Sequence, residues 1–328
     1  MFFPLHMERG NGIMTGNKAG NPFAPNGFPV LTSREEEMKL IKKVFGGIEL
    51  TWPKLIVFAV LAGVYTAVMA IIPALHYTSF HTIAVTFEVW ILFGIVIIMN
   101  SKSNLDAALK CFVFFLISQP LVYLIQVPFS HLGWALFGYY RTWFIWTILC
   151  FPMGYVGYFI KKGKWWGYLI LFPMIALTGY SYLMYFSYFT FYAPKFILIC
   201  LFCAAMMLLY PVALFENKTI RTVDLIISGV IIVAVTVVGI LNPYVYHTQF
   251  MSNSEDHPID ETYRVYLEDE RYGDAGILYV DSIEDYMVYA DFRKAGKTAL
   301  IVESPTGERT VYDLTIEIDT YDCVKREN

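Results

Sequence analysis

Residues 223–247 read VDLIISGVIIVAVTVVGILNPYVYH, and the change of character inside this stretch divides the chain. From Val223 to Leu241 the run is almost wholly apolar, with the smooth β-branched centre Val230-Ile231-Ile232-Val233-Ala234-Val235. That is close to the roughly 20 residues a helix needs to cross the hydrocarbon core of a bilayer. After Asn242-Pro243 the sequence turns polar and acidic. The first side predicts a membrane helix with a lipid-facing, anchor-like surface, and the second a separate water-facing domain.

Working back from Val223, six more apolar segments precede it, at 55–75, 82–99, 106–127, 138–160, 165–186 and 194–215. The expected fold class is therefore an α-helical polytopic membrane domain of about seven transmembrane helices over 55–241, followed by a small all-β domain. Composition agrees. Of 328 residues, 57% are hydrophobic and only 16% charged, against roughly 25% charged in a soluble domain. Ala59, Gly63 and Ala67 form a small-residue stripe on the first span, which predicts close helix packing within the chain or between copies.

Charge is unevenly divided. Sixteen of the 24 basic residues but only 9 of the 28 acids precede residue 247, so the membrane body carries +7 and the tail −11. Among the interhelical flanks, one set holds Lys39, Lys42, Lys43, Lys54, Lys102, Lys161, Lys162, Lys164, Lys218 and Arg221. The alternate set holds only Arg141 and Lys195. Basic loops remain in the cytoplasm during insertion. The expected location is the cell membrane, multi-pass, with a cytoplasmic N-terminus and, for an odd span number, an extracytoplasmic tail.

Residues 1–32 are rich in Gly, Asn and Pro and are expected to be a disordered cytoplasmic N-terminus without a secretory signal. Ser33 with Glu36 reads as a capping box. Met38, Ile41, Val44 and Ile48 then recur at helical spacing among lysines, so 33–54 is expected to be an amphipathic interfacial helix. Its alternative is an ordinary pre-membrane turn with solvated lysines.

In the tail, 242–256 reads as a linker and 257–322 as the β domain. Strands are expected at 262–267, 276–280, 286–290, 298–302 and 310–318. In the last, Tyr312, Leu314, Ile316 and Ile318 alternate with Asp313, Thr315, Glu317 and Asp319, which predicts one buried and one wet face. Pro305-Thr306-Gly307-Glu308 supplies the turn before it. The run Gly296-Lys297-Thr298-Ala299-Leu300-Ile301-Val302, a Gly307 turn and Tyr312-Asp313-Leu314-Thr315-Ile316 resembles the last hairpin of bacterial immunoglobulin-like domains. The resemblance covers about 25 residues. It implies an Ig-like β-sandwich on a bacterial cell envelope, meeting an extracytoplasmic protein or cell-wall partner.

Function is less legible. Ionisable groups inside a span are costly and mark functional sites by default. Glu88 stands in Thr86-Phe87-Glu88-Val89-Trp90, inside the second span. Gln119 and Gln126 share a face of the third span, with Tyr123 between them. His131 lies in the following loop, and Arg141 opens the fourth span. Topology puts Glu88, Gln119, Gln126, His131 and Arg141 at similar depth, so they are the candidate ligand-binding set of an outward-facing polar cavity. The plainer alternative is a structural Glu88–Arg141 ion pair, since a lone buried charge needs a partner.

Other features read as structural. Cys200-x-x-Cys203 sits among Leu201, Phe202 and Ala204 without a second pair or histidine and reads as packing. Asp106 and Lys110 are expected to form a surface ion pair, and Glu216 and Asp224 to be solvated. His76, His81 and His131 are read as loop residues, so no metal ligand or cofactor is assigned. No Walker, dinucleotide-binding, His-Glu-x-x-His or Gly-x-Ser-x-Gly motif occurs, so no catalytic residue is assigned. The lysines guard a membrane face and form no nucleic-acid patch.

Three functions remain open at this point. The first is binding or moving a small solute or lipid through the cavity. The second is anchoring the Ig-like domain as an accessory protein. The third is intramembrane catalysis on lipid-linked substrates, with Glu88 and a histidine as acid and base.

Overall fold

The computed structural model describes residues 30–76, 78–252 and 259–326. The chain clusters into two units, Met1–Leu40 and Ile41–Asn328. The expectation for 1–29 lies outside the described residues. The first helix, α1 (Val30–Val44), begins three residues before Ser33. Ser33 therefore stands inside the helix rather than capping it, and the helix stops before Ile48.

Six helices are long and apolar enough to cross a membrane: α2 (Trp52–Ile71), α5 (Asn104–Gln126), α6 (Phe137–Gly157), α7 (Gly167–Phe191), α8 (Ala193–Leu214) and α9 (Lys218–Leu241). One further apolar helix pair is sharply bent and is either a broken span or a re-entrant loop. It consists of α3 (Ser79–Val85) and α4 (Phe87–Met99), bent by 49° at Thr86. Against the expected seven spans, the structure has six continuous apolar helices and one bent pair, which makes seven where that pair is a single span.

The small-residue stripe packs within the chain. Ala59 and Ala67 are fully buried, and a Cβ added at Gly63 would lie 2.8 Å from the Ser118 carbonyl of α5. Close backbone approach is what such stripes permit. The basic loops gather at one end of the bundle. There the Lys161 ammonium bonds the Ser101 carbonyl at 2.8 Å, and the Tyr158 hydroxyl bonds the Lys102 carbonyl at 2.8 Å. Asn100 holds the Val44–Ile48 segment at the same end by donating to the Val44 carbonyl (2.6 Å) and accepting from the Ile48 amide (2.7 Å).

The acidic tail forms two antiparallel sheets. One has the order β1-β4-β3 and the other β2-β5-β6-β7. The strands are β1 (Tyr246–Ser252), β2 (Arg264–Leu267), β3 (Gly273–Val280), β4 (Asp285–Phe292), β5 (Gly296–Glu303), β6 (Arg309–Glu317) and β7 (Thr320–Lys325). The β5–β6 hairpin turns where the sequence predicts. Gly307 has φ +84°, and its amide bonds the Ser304 carbonyl at 2.9 Å. Leu314, Ile316 and Ile318 are buried while Asp313, Glu317 and Asp319 are exposed, so the alternation holds its phase. Two strands were not expected. β1 occupies much of the supposed linker, beginning four residues after α9 ends, and β7 carries the domain to Lys325.

The β domain is rooted on the turn between α7 and α8. The Ala295 amide donates to the Phe191 carbonyl at 3.0 Å. Tyr244 packs against Tyr188 and Phe191, with ring centroids 4.8 and 5.3 Å away, and its hydroxyl donates to Asp319. Buried residues of α7 and α8 and those of both sheets belong to one continuous apolar core.

Candidate functional site

Thr86 is extended (φ −96°, ψ 172°), and this single residue separates α3 from α4. It closes the first helix, because its amide and its hydroxyl both donate to the Thr82 carbonyl, at 3.1 and 2.6 Å. The hydroxyl is therefore spent on α3 and does not cap α4. The first amides of α4 lack a side-chain cap at a depth where water is scarce. Irregular backbone survives within a bilayer only where protein or a polar cavity surrounds it.

Glu88 falls in the first turn of α4 and is 1% exposed. Among the described residues its Oε2 has no hydrogen-bond partner. The positive end of the α4 dipole favours a carboxylate there, but that offset is small compared with the cost of burying an unpaired charge. Directions around α4 explain what Glu88 meets. Phe87 turns toward α6, with ring centroids 5.0 Å from Trp143 and 5.3 Å from Trp146. One residue later, about 100° around the helix, Glu88 faces α7 and α8. The Tyr185 and Tyr210 phenols and the Cys203 thiol lie within electrostatic range of its carboxyl. Tyr185 also meets the Thr86 hydroxyl at the break. Tyr210 is fully buried and its hydroxyl has no partner.

Helix α5 adds polar groups at the same level. The Cys111 thiol lies 3.9 Å from the Gly94 carbonyl, and Trp90 packs on Phe114 and Phe115. This antiparallel register sets Ser118 and Gln119 opposite the first turn of α4. Both are buried, and Ser118 Oγ and Gln119 Nε2 lack partners. Pro120 follows inside α5 and has no amide to give the Leu116 carbonyl. Backbone irregularity and unpartnered side chains thus coincide on two neighbouring helices.

Of the expected set, Glu88 and Gln119 share this level, and three residues stand apart. Gln126 is half-buried and donates to the Val122 carbonyl of its own helix at 3.0 Å. His131 and Arg141 are exposed. Among the described residues no ion pair includes Glu88 or Arg141. The physical reason is rotational. Phe87, rather than Glu88, occupies the face of α4 turned toward the helix that carries Arg141. No group of three or more metal-ligating side chains occurs among the described residues. His76 and His81 face each other instead, with ring centroids 5.2 Å apart.

The partners Tyr185, Cys203 and Tyr210 were not anticipated. Two signals were present in the sequence. Thr86-Phe87-Glu88 has the form of a helix start, with a hydroxyl at the cap and an acid in the first turn, and Tyr210-Pro211 couples a phenol to a helix irregularity. Two other readings are corrected. Lys110 is 3% exposed and bonds Asp106 at 2.7 Å, so this is a partly buried pair rather than a surface one. Asp224, expected in solvent, is 3% exposed.

Chemically, the groups around Glu88 offer carboxylate, phenol, hydroxyl and thiol and, among the described residues, no ion-paired cation. It can accept hydrogen bonds or positive charge from a guest. No protein-family model, curated protein or solved structure matches the chain.

Proposed function

We propose that this protein is a bacterial cell-envelope membrane protein that binds or moves a small solute, a cation or protonated amine, at the break between α3 and α4. The observation that carries the reading is Glu88, buried in an interrupted span with a carboxylate oxygen that nothing satisfies. Interrupted spans are where transporters commonly build sites, because helix ends and freed backbone groups face a guest there. Tyr185, Cys203 and Tyr210 complete the site, with Gln119 at the same level on α5. Gln126, His131 and Arg141 are left to the bundle's surface.

The lysine asymmetry supports a cytoplasmic N-terminus and an extracytoplasmic β domain. Two antiparallel sheets and the β5–β6 hairpin support reading that domain as Ig-like, and its acidic surface suits a protein or cell-wall partner. The domain also has a route to the break. It is rooted on the α7–α8 turn, and just beyond it the Lys195 carbonyl in the first turn of α8 accepts from the Ser79 hydroxyl at the start of α3 (2.7 Å). Occupancy above the membrane can thereby bias the broken helix below it. This rooting equally suits an accessory protein that presents the domain to a partner.

The test is thermal unfolding of the full chain in lipid nanodiscs against a panel of inorganic cations and small amines. A solute that raises the melting temperature of the wild type, but not of Glu88→Gln, supports the site. A full panel without effect, or equal effects on both proteins, favours the accessory reading. A C-terminal alkaline phosphatase fusion that is inactive would overturn the orientation.

A further inference from the structure

A second group of unsatisfied polar atoms lies away from the break. Helix α9 is apolar along its exposed face, yet its buried positions are Asp224, Ser228 and Gly239. An anchor helix would bury aliphatic side chains; this one buries a carboxylate and a hydroxyl. Asp224 and Ser228 are one helical turn apart and so lie on one face. Asp224 Oδ2 and Ser228 Oγ are buried and, among the described residues, without hydrogen-bond partners. Tyr168, in the first turn of α7, has a buried, unpartnered hydroxyl within electrostatic range of Asp224.

The seam between α7 and α9 satisfies polar groups elsewhere. Further along it the Tyr182 and Thr236 hydroxyls bond at 3.1 Å, and both Gly179 and Gly239 allow close approach to Ile231 and Phe186. Among the described residues, the end nearer Lys218 is where the seam leaves its oxygens open. Lys218 and Arg221 are close in sequence, but among the described residues no ion pair includes Asp224.

We propose that Asp224, Ser228 and Tyr168 form a binding site for a monovalent metal cation, sodium in the first instance, at the α7–α9 seam. All three open atoms are oxygens, which hard cations take as ligands. The single carboxylate sets the charge. One monovalent ion neutralises it, whereas a divalent ion leaves a net positive charge among apolar side chains, which is costly. Asp224 lies about 9 Å along α9 from its first residue, so water at the lysine-bearing end supplies the ion and its remaining ligands. This site uses none of the residues at the break, and it does not depend on what binds there.

The experiment is thermal unfolding of the full chain in nanodiscs, in sodium, potassium or choline chloride at equal ionic strength. A sodium-specific rise in melting temperature is expected for the wild type and for Glu88→Gln. Asp224→Asn should abolish it. Ser228→Ala, the milder change, should raise the half-saturating sodium concentration by about tenfold, as loss of one ligand worth ~1.4 kcal/mol would. Equal melting temperatures in sodium and choline overturn the proposal. So does a sodium response that survives in Asp224→Asn, or, should that variant not fold, one that is unaltered in Ser228→Ala. Loss of the response in Glu88→Gln instead moves the cation to the break and equally overturns it.

Discussion

Two carboxylates in this membrane domain, Asp106 half-buried and Glu88 buried, have opposite surroundings. Asp106 opens α5 at the lysine-bearing end and is saturated. Its amide is capped by Ser103 (3.1 Å), and its Oδ2 accepts from the Lys102 amide (2.8 Å) and the Lys110 ammonium (2.7 Å). Glu88 opens α4 at the break, is more deeply buried, and keeps an oxygen with no partner. Both occupy the first turn of a helix, where the dipole favours negative charge, so the helix end does not distinguish them. The neighbours do. A charge fully matched by its own chain is architecture, whereas a charge left open within a closed bundle is poised for something the chain does not supply.

This contrast can be broken by mutation. The largest effect is expected at the saturated site. Asp106→Ala removes the partner of a lysine that is 3% exposed, and stranding a buried charge costs about 3–5 kcal/mol. Chemical or thermal unfolding in nanodiscs measures it, and a loss below ~1 kcal/mol would return the pair to the surface class. At the root of the β domain, Tyr244→Phe removes the hydroxyl that donates to Asp319 and keeps the ring between Tyr188 and Phe191. A loss of about 1 kcal/mol is expected, near the upper range if Asp319 remains charged and unpaired. Arg141→Gln, at an exposed position, should change stability by no more than ~0.5 kcal/mol. A loss of several kcal/mol would revive an Arg141 partner inside the bundle.

The smallest effect concerns acid. The Arg326 guanidinium hydrogen-bonds Asp313 and holds its carboxyl below the usual carboxylate range. A depressed folded value means that the stabilisation is present above the unfolded value and is lost as pH falls through the folded one. Both groups are exposed, so the β domain should soften only slightly below the ordinary aspartate range. Arg326→Gln should remove that dependence in unfolding followed by tyrosine fluorescence.

The sequence made the membrane spans legible because hydrocarbon imposes length and apolarity on every crossing. The β5–β6 hairpin was legible because Leu314, Ile316 and Ile318 alternate against exposed acids around a Gly turn. Strand β1 was hidden. Tyr246-His247-Thr248-Gln249 carries no alternation, and its order comes from pairing with the distant strand β4, as in Tyr246 with Phe292 and Gln249 with Tyr289. The break at Thr86 was half-legible, because Thr86-Phe87-Glu88 has the form of a helix start while Thr is common in apolar helices and the hydroxyl's choice of the Thr82 carbonyl is a local geometric outcome. Glu88 itself was legible as a charge in an apolar run. Its neighbours were not, because depth can be counted along a helix but facing cannot. Counting placed Arg141 nearby, and one residue of rotation assigned that side to Phe87.

The most direct test of the central claim is the unfolding free energy of Glu88→Gln beside that of the wild type, with solute binding measured on both proteins. The account predicts unchanged or increased stability, because Gln removes an unmatched charge, together with loss of solute-dependent stabilisation. A destabilisation of several kcal/mol, comparable to that of Asp106→Ala, would mean that Glu88 is matched within the chain and is architecture after all.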